Sequence, residues 1–355
     1  MRRLWIQHEF CASTVAVGLI LGCAGGGLVS EPLDRAALSQ QAKAAFGTLP
    51  FEASSAENPV TESKITLGRM LYYEKRLSKN HDVACNSCHL LDKFGVDGKP
   101  TSSGHRGQLG GRNAPTVYNA AFQIAQFWDG RAANVEEQAK GPPLNPIEMA
   151  MASEAHVETV LRSIPGYATL FQAAFPGETG PITYDQMARA IGAFERRLIT
   201  PSRFDRFQQG ELGALSEAEL QGLDVFMSTG CVTCHNGPAI GGRMYQKLGL
   251  LHPYPTDDLG RYDVTGAEAD RHVFKVPSLR NIAETGPYFH DGQVSPLAEA
   301  VRLMAHHQLG RELSDSDLEA IVAFLGSLTG TLDVSYIAKP RLPPSGPTTP
   351  APDPS

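Results

Sequence analysis

The pattern C-x-x-C-H occurs twice in this chain, as Cys85-Asn-Ser-Cys88-His89 and as Cys231-Val-Thr-Cys234-His235. Nothing else in the sequence limits the fold so strongly. With 6 Cys and 11 His among 355 residues, multiplying frequencies gives about 0.003 such motifs by chance. The spacing lets two thiols add to the vinyl groups of one haem while the adjacent His reaches the iron. Two C-x-x-C pairs could also hold zinc, but zinc does not require a His directly after each pair. A thioredoxin-like redox pair needs a βαβ setting, and the sequence has little strand signal. Two covalently bound haem c groups are therefore expected. Each would replace part of a side-chain core, so the expected fold is mainly α, two cytochrome c-like haem domains with long loops and little strand.

The other cysteines fit an exported haem protein. Cys11 falls in an N-terminal segment where Arg2 and Arg3 precede an apolar run from Ala12 to Leu21, the layout of a secretory signal and too short to span a bilayer as a mature helix. That run closes on Ile20-Leu21-Gly22-Cys23, which resembles a lipobox with Cys23 as the lipidated residue. A plain signal peptide cut near Ala24 to Gly27 is the alternative. Localisation in the periplasm follows, with or without a membrane tether through Cys23. The formal charge is −7, and removing residues 1–22 takes away two Arg and one Glu. Such an acidic chain is a poor nucleic-acid binder and suits a basic redox partner.

Along the chain, residues 23–50 read as a tether with some helix. Residues 51–200 and 201–338 read as an N-terminal and a C-terminal haem domain. The Pro/Ser/Thr-rich residues 339–355 are expected to be disordered. His89 and His235 lie at matching places in the two halves, which suggests a diverged internal duplication. Leu67, Met70 and Leu71 predict a helix ahead of Cys85. Ser216 and Glu219 form a capping box for a second helix ending before Cys231. Further helices are expected at 183–198, at 296–307 with Ser295 as N-cap and Pro296 at N1, and at 315–328 after Ser314.

Thr101-Ser-Ser-Gly-His105, Gly111-Arg-Asn-Ala-Pro-Thr116, Ala125-Gln-Phe-Trp-Asp-Gly-Arg131, Glu136-Glu-Gln-Ala-Lys-Gly-Pro142 and Asn145-Pro-Ile-Glu-Met149 surround the first motif. Pro277-Ser-Leu-Arg-Asn281, Pro287-Tyr-Phe-His-Asp-Gly292 and the segment from Met304 to Gly310 follow the second. Together, from about residue 55 to 335, they resemble the bacterial dihaem cytochrome c peroxidases, in the superfamily that also holds MauG. The resemblance implies a low-potential peroxidatic haem on His89, with His105 as a second ligand that leaves on activation. It implies a high-potential donor haem on His235 and Met304, since His/Met ligation raises the potential; His306 and His307 are competing ligands nearby. Glu148 would move the proton in peroxide cleavage, Gln138 would line the same pocket, and Trp128 would lie on the electron path. One calcium would be held by the Asn113 side chain and the carbonyls of Thr285 and Pro287.

The partners implied are hydrogen peroxide, a small cytochrome c or cupredoxin as electron donor, and a second copy in a homodimer. Two other readings share the haem motifs. A MauG-like enzyme oxidising a protein substrate would use Tyr where Met304 stands, and a non-catalytic dihaem electron carrier would have no use for a Glu148/Gln138 pocket.

Overall fold

Two crossed helix pairs carry the architecture, and each crossing is closed by a glycine. In the first pair, Thr61 caps Glu62–Tyr72 by accepting from the Lys64 amide at 3.3 Å, and Thr183 with Gln186 forms a capping box on Tyr184–Glu195. In the second, Ser216 and Glu219 cap Glu217–Ser228 and Ser314 caps Asp315–Ser327. A Cβ on Gly68 would sit 1.9 Å from the Ala190 carbonyl oxygen, and one on Gly222 would sit 1.8 Å from that of Ala320. Only glycine lets these backbones meet so closely; a larger residue forces the helices apart at a typical cost of about 1–3 kcal/mol or more.

The computed structural model describes residues 33–355, so the expected signal segment 1–22, Cys23 and the start of the tether lie outside the described residues. The first core gathers Leu67, Leu71, Tyr167, Met187 and Phe194. Phe46, Phe204, Leu223, Phe226 and Phe324 lead the second. Strand is confined, among the described residues, to Tyr245–Lys247 pairing antiparallel with Val273–Lys275, plus isolated bridges. The mainly helical expectation holds.

Matching local geometry runs through both halves. Phe127 and Phe289 share a left-handed backbone, with φ of 67° and 66°, inside equivalent F-x-D-G turns closed by the bridges Gln126 to Ala132 and Tyr288 to Val294. Asn119 and Asn281, with φ of 59° and 60°, both donate to the hydroxyl of the fully buried Thr200, at 2.8 and 2.9 Å. One threonine thus ties together the two left-handed asparagine turns, one from each half.

Three expectations differ from the structure. The helix expected within the 23–50 tether is Arg35–Phe46, but it is docked rather than a free tether: its Leu38, Ala42 and Phe46 are buried, and Phe46 meets Phe204 edge to face at 5.4 Å. The i, i+4 stripe is hard to see because Ala and Gln fill the positions between. Residues 339–355 are not free of fixed structure. Arg76 donates to the Pro343 carbonyl at 2.8 Å, Ser163 bonds Thr349 at 3.0 Å, and Lys79 donates to the Ser355 backbone oxygen at 2.8 Å. A proline-rich run loses little entropy on being fixed, and the first half supplies donors to its carbonyls. Finally, the helix expected at 296–307 spans Leu297–Leu309, with Pro296 itself at the N-cap.

Candidate active site

Both C-x-x-C-H motifs fold into the same tight turn: the His89 amide donates to the Cys85 carbonyl at 3.0 Å and the His235 amide to that of Cys231 at 3.0 Å. A cavity opens beside each. The first, about 1270 Å³ including its mouth, is lined by Cys88 and His89; the second, about 1730 Å³, by Cys231, Cys234 and His235. Burial lowers the acidity range of both imidazoles, His235 to about 4, so each is a neutral ring with a lone pair to give. The four thiols are unpaired, the two pairs serve separate cavities, and no three His, Cys, Asp or Glu converge among the described residues. The donor set and the space therefore fit one thioether-bound haem per cavity rather than a shared zinc.

The walls differ. Glu148 and Gln138 line the first cavity and not the second; Met304 lines the second and not the first. Glu148 sits on a loop shaped by Asn145, whose side chain accepts from the Ile147 amide at 3.0 Å and donates to the Glu148 carboxylate at 2.7 Å. Burial raises the Glu148 carboxyl above the usual carboxylate range, opposed by the Arg131 charge and the Asn145 hydrogen bond. Gln138 projects from the short helix Val135–Ala139, capped by Asn134.

His105 stands next to this loop. Its amide donates to the carbonyls of Ile147 and Glu148 at 2.9 and 2.8 Å, and a Cβ on Gly104 would lie 2.1 Å from the Ile147 oxygen. The glycine is what permits that approach. The His105 ring does not line the cavity: its Nε2 lies 3.1 Å from the Ser355 backbone oxygen.

On the helix Leu297–Leu309, Met304 faces the second cavity with His235. His306 is held by Glu312 at 2.9 Å and His307 by the His252 carbonyl at 2.8 Å, and neither lines it. Trp128 borders both cavities and donates from Nε1 to the Asn113 carbonyl at 3.0 Å. Asn113, Thr285 and Pro287 also come together in the wall of the second cavity, although the Asn113 amide nitrogen is turned to the carbonyls of Lys99 and Pro100.

Sequence reasoning did not single out three polar groups on these walls. Arg131 stacks its guanidinium 3.5 Å over Phe127 and lines the first cavity. Lys275, in the second, has its amine lowered to about 8 by burial. Glu195, in the first, is nearly inaccessible.

The family described as di-haem cytochrome c peroxidase matches residues 62–213. Cytochrome c551 peroxidase of Nitrosomonas europaea is 47% identical over 308 residues, 86% of this chain and 91% of that one. Cytochrome c551 peroxidase of Pseudomonas aeruginosa is 45% identical over 332 residues, 91% and 95% of the two chains. A crystal structure of a MauG-like protein associated with microbial copper homeostasis superposes with a TM-score of 0.74 at 30% identity, covering 82% of this chain and 97% of that one.

Proposed function

The chain belongs to the di-haem cytochrome c peroxidase family, and on that footing we propose that it reduces hydrogen peroxide to water at the first cavity with electrons received at the second. It is an oxidoreductase acting on peroxide, as its relatives' names state. The observation that carries the finer reading is the asymmetry of two cavities sharing Trp128: a carboxyl and an amide in one, a thioether in the other.

Haem c bound at each motif supplies the iron for peroxide cleavage on the His89 side and a store for one electron on the His235 side. Glu148 holds the proton. Its raised pKa keeps a carboxyl able both to accept and to release one, and Asn145 fixes its direction. Gln138 offers an amide to the peroxide. Met304, a soft neutral ligand, favours the reduced state of the second centre. Trp128 bridges the cavities as the electron path. Calcium is assigned to the Asn113 side chain with the carbonyls of Thr285 and Pro287, a hard oxygen set of the kind this ion takes. The donor would be a small cytochrome c or cupredoxin, the setting the periplasm, and the assembly a homodimer. No described helix is long and apolar enough to cross a membrane; lipidation of Cys23 is kept as the proposed tether.

Three measurements address this reading. Peroxide-dependent oxidation of reduced cytochrome c is the direct assay, and its absence in protein with two haems per chain would leave only an electron carrier. Met304→His should abolish the near-infrared sulfur-to-iron band; a persisting band would remove Met304 as the ligand and with it the argument against the MauG-like reading. His105→Gly should turn over peroxide without prior reduction, whereas wild type needs its second centre reduced first. A variant that still requires reduction would show that His105 is not the gate.

A further inference from the structure

Glu195 is the last residue of the Tyr184–Glu195 helix, 4% exposed, in the wall of the first cavity with His89 and Glu148. The peroxide chemistry above gives it no task. Its carboxyl accepts no hydrogen bond among the described residues; only its backbone oxygen is used, by the Leu198 amide. The charged and titratable groups around it leave it uncompensated. Arg196, next along the chain, is turned away, donating to Glu136 at 2.7 and 2.8 Å and to the Ala53 carbonyl. Glu136, from the Val135–Ala139 helix, is a like charge. From Glu62–Tyr72 the neighbour is Tyr72, whose hydroxyl donates to the His89 carbonyl. The first motif contributes Cys85, a thiol that becomes a neutral thioether once haem is attached.

We propose that Glu195 is the redox-linked proton site of the first cavity, binding one proton when the centre there gains one electron and releasing it when that electron leaves. The inference rests on the reading that the first motif carries haem. The electron comes from the second centre, the proton comes from solvent, carboxylate becomes carboxylic acid, and the net charge of the enclosure is unchanged. An added negative charge in a low-dielectric cavity raises the proton affinity of a nearby carboxylate. Burial, reinforced by Glu136 and opposed by Arg196, already pushes the Glu195 carboxyl up to about 8, so the charge-linked uptake takes place on the alkaline side of that value, where the oxidised enclosure still holds a carboxylate.

The test is the midpoint potential of the first haem in the two-haem protein, followed by spectroelectrochemistry. Between the oxidised-form and reduced-form pKa values the potential falls as pH rises, by about 59 mV for each tenfold drop in proton activity. Glu195→Gln should flatten that dependence, while Glu195→Asp and Glu148→Gln keep it. In the infrared redox-difference spectrum of wild type, a protonated-carboxyl band should appear on reduction, vanish in Glu195→Gln and shift in Glu195→Asp. The infrared experiment on wild type and the Asp variant decides the matter even if the Gln variant cannot be matured. A slope retained in Glu195→Gln, or lost instead in Glu148→Gln, overturns the proposal. Haem content separates the two levels: protein without haem at Cys85 and Cys88 overturns the functional reading as well, whereas a loaded protein with a pH-independent potential overturns this inference alone.

Discussion

Glu148→Gln is expected to lose about 10² to 10⁴ in peroxide turnover, the range typical of a removed general acid/base and equivalent to roughly 3–5 kcal/mol of barrier. The geometry makes this substitution unusually clean. Gln keeps the shape and can still meet Asn145 after an amide flip, and the backbone of Glu148 goes on holding His105 through its carbonyl. Haem content and the spectra of both centres should therefore be unchanged, so that the loss reads as chemistry rather than misfolding. Turnover within about threefold of wild type, far less than proton transfer contributes, would make Glu148 a bystander. Glu195 would then be the cavity carboxyl to examine next.

Asp205→Ala is expected to lower conformational stability by about 3–5 kcal/mol, because it strands a buried guanidinium. Arg280 is 1% exposed. Its two terminal nitrogens donate to the two Asp205 oxygens at 2.9 and 2.8 Å, and its Nε to the Pro238 carbonyl at 2.5 Å. Asp205 also accepts from the Ser202 amide and hydroxyl at 2.7 and 2.9 Å, capping the helix Arg203–Gln208. One carboxylate thus joins that helix to the Pro277–Asn281 segment behind the second motif. Urea unfolding of the loaded protein, followed by far-ultraviolet circular dichroism, measures the loss. Replacing both partners with apolar residues should recover most of it, since the pair's own desolvation cost disappears too. A single-variant loss below about 1 kcal/mol, the level of an exposed pair, would mean that water reaches Arg280 and the pair is not a structural tie.

What could be read from the sequence was whatever depends on short-range chemistry. The C-x-x-C-H turns, the Ser216/Glu219 and Ser314 caps and the apolar spacing of the helices are set by residues within one or two turns of each other, and they stand where expected. Met304 was separable from His306 and His307 only through the family resemblance; the structure adds that both histidines are engaged by other partners. What was hidden depends on distant partners. In Phe194-Glu-Arg-Arg197 nothing local says which charge is paired, yet Arg196 is drawn inward by Glu136, 60 residues away, and Glu195 is left alone beside the cavity. The shared Thr200 contact was equally invisible, because the two asparagines that meet on it come from opposite halves.

The course of residues 339–355 bears on how the protein should be handled. Ser355 sits 3.1 Å from the ring of His105, so anything fused after it begins beside that histidine, next to the loop that carries Glu148. A polyhistidine purification handle placed there would bring a string of imidazoles, the ligand type proposed for His89 and His105, close to the first cavity. Spectra collected with such a handle would mix its own coordination with that proposed for His105. A handle on another surface, or one cleaved before measurement, keeps the His105→Gly comparison interpretable.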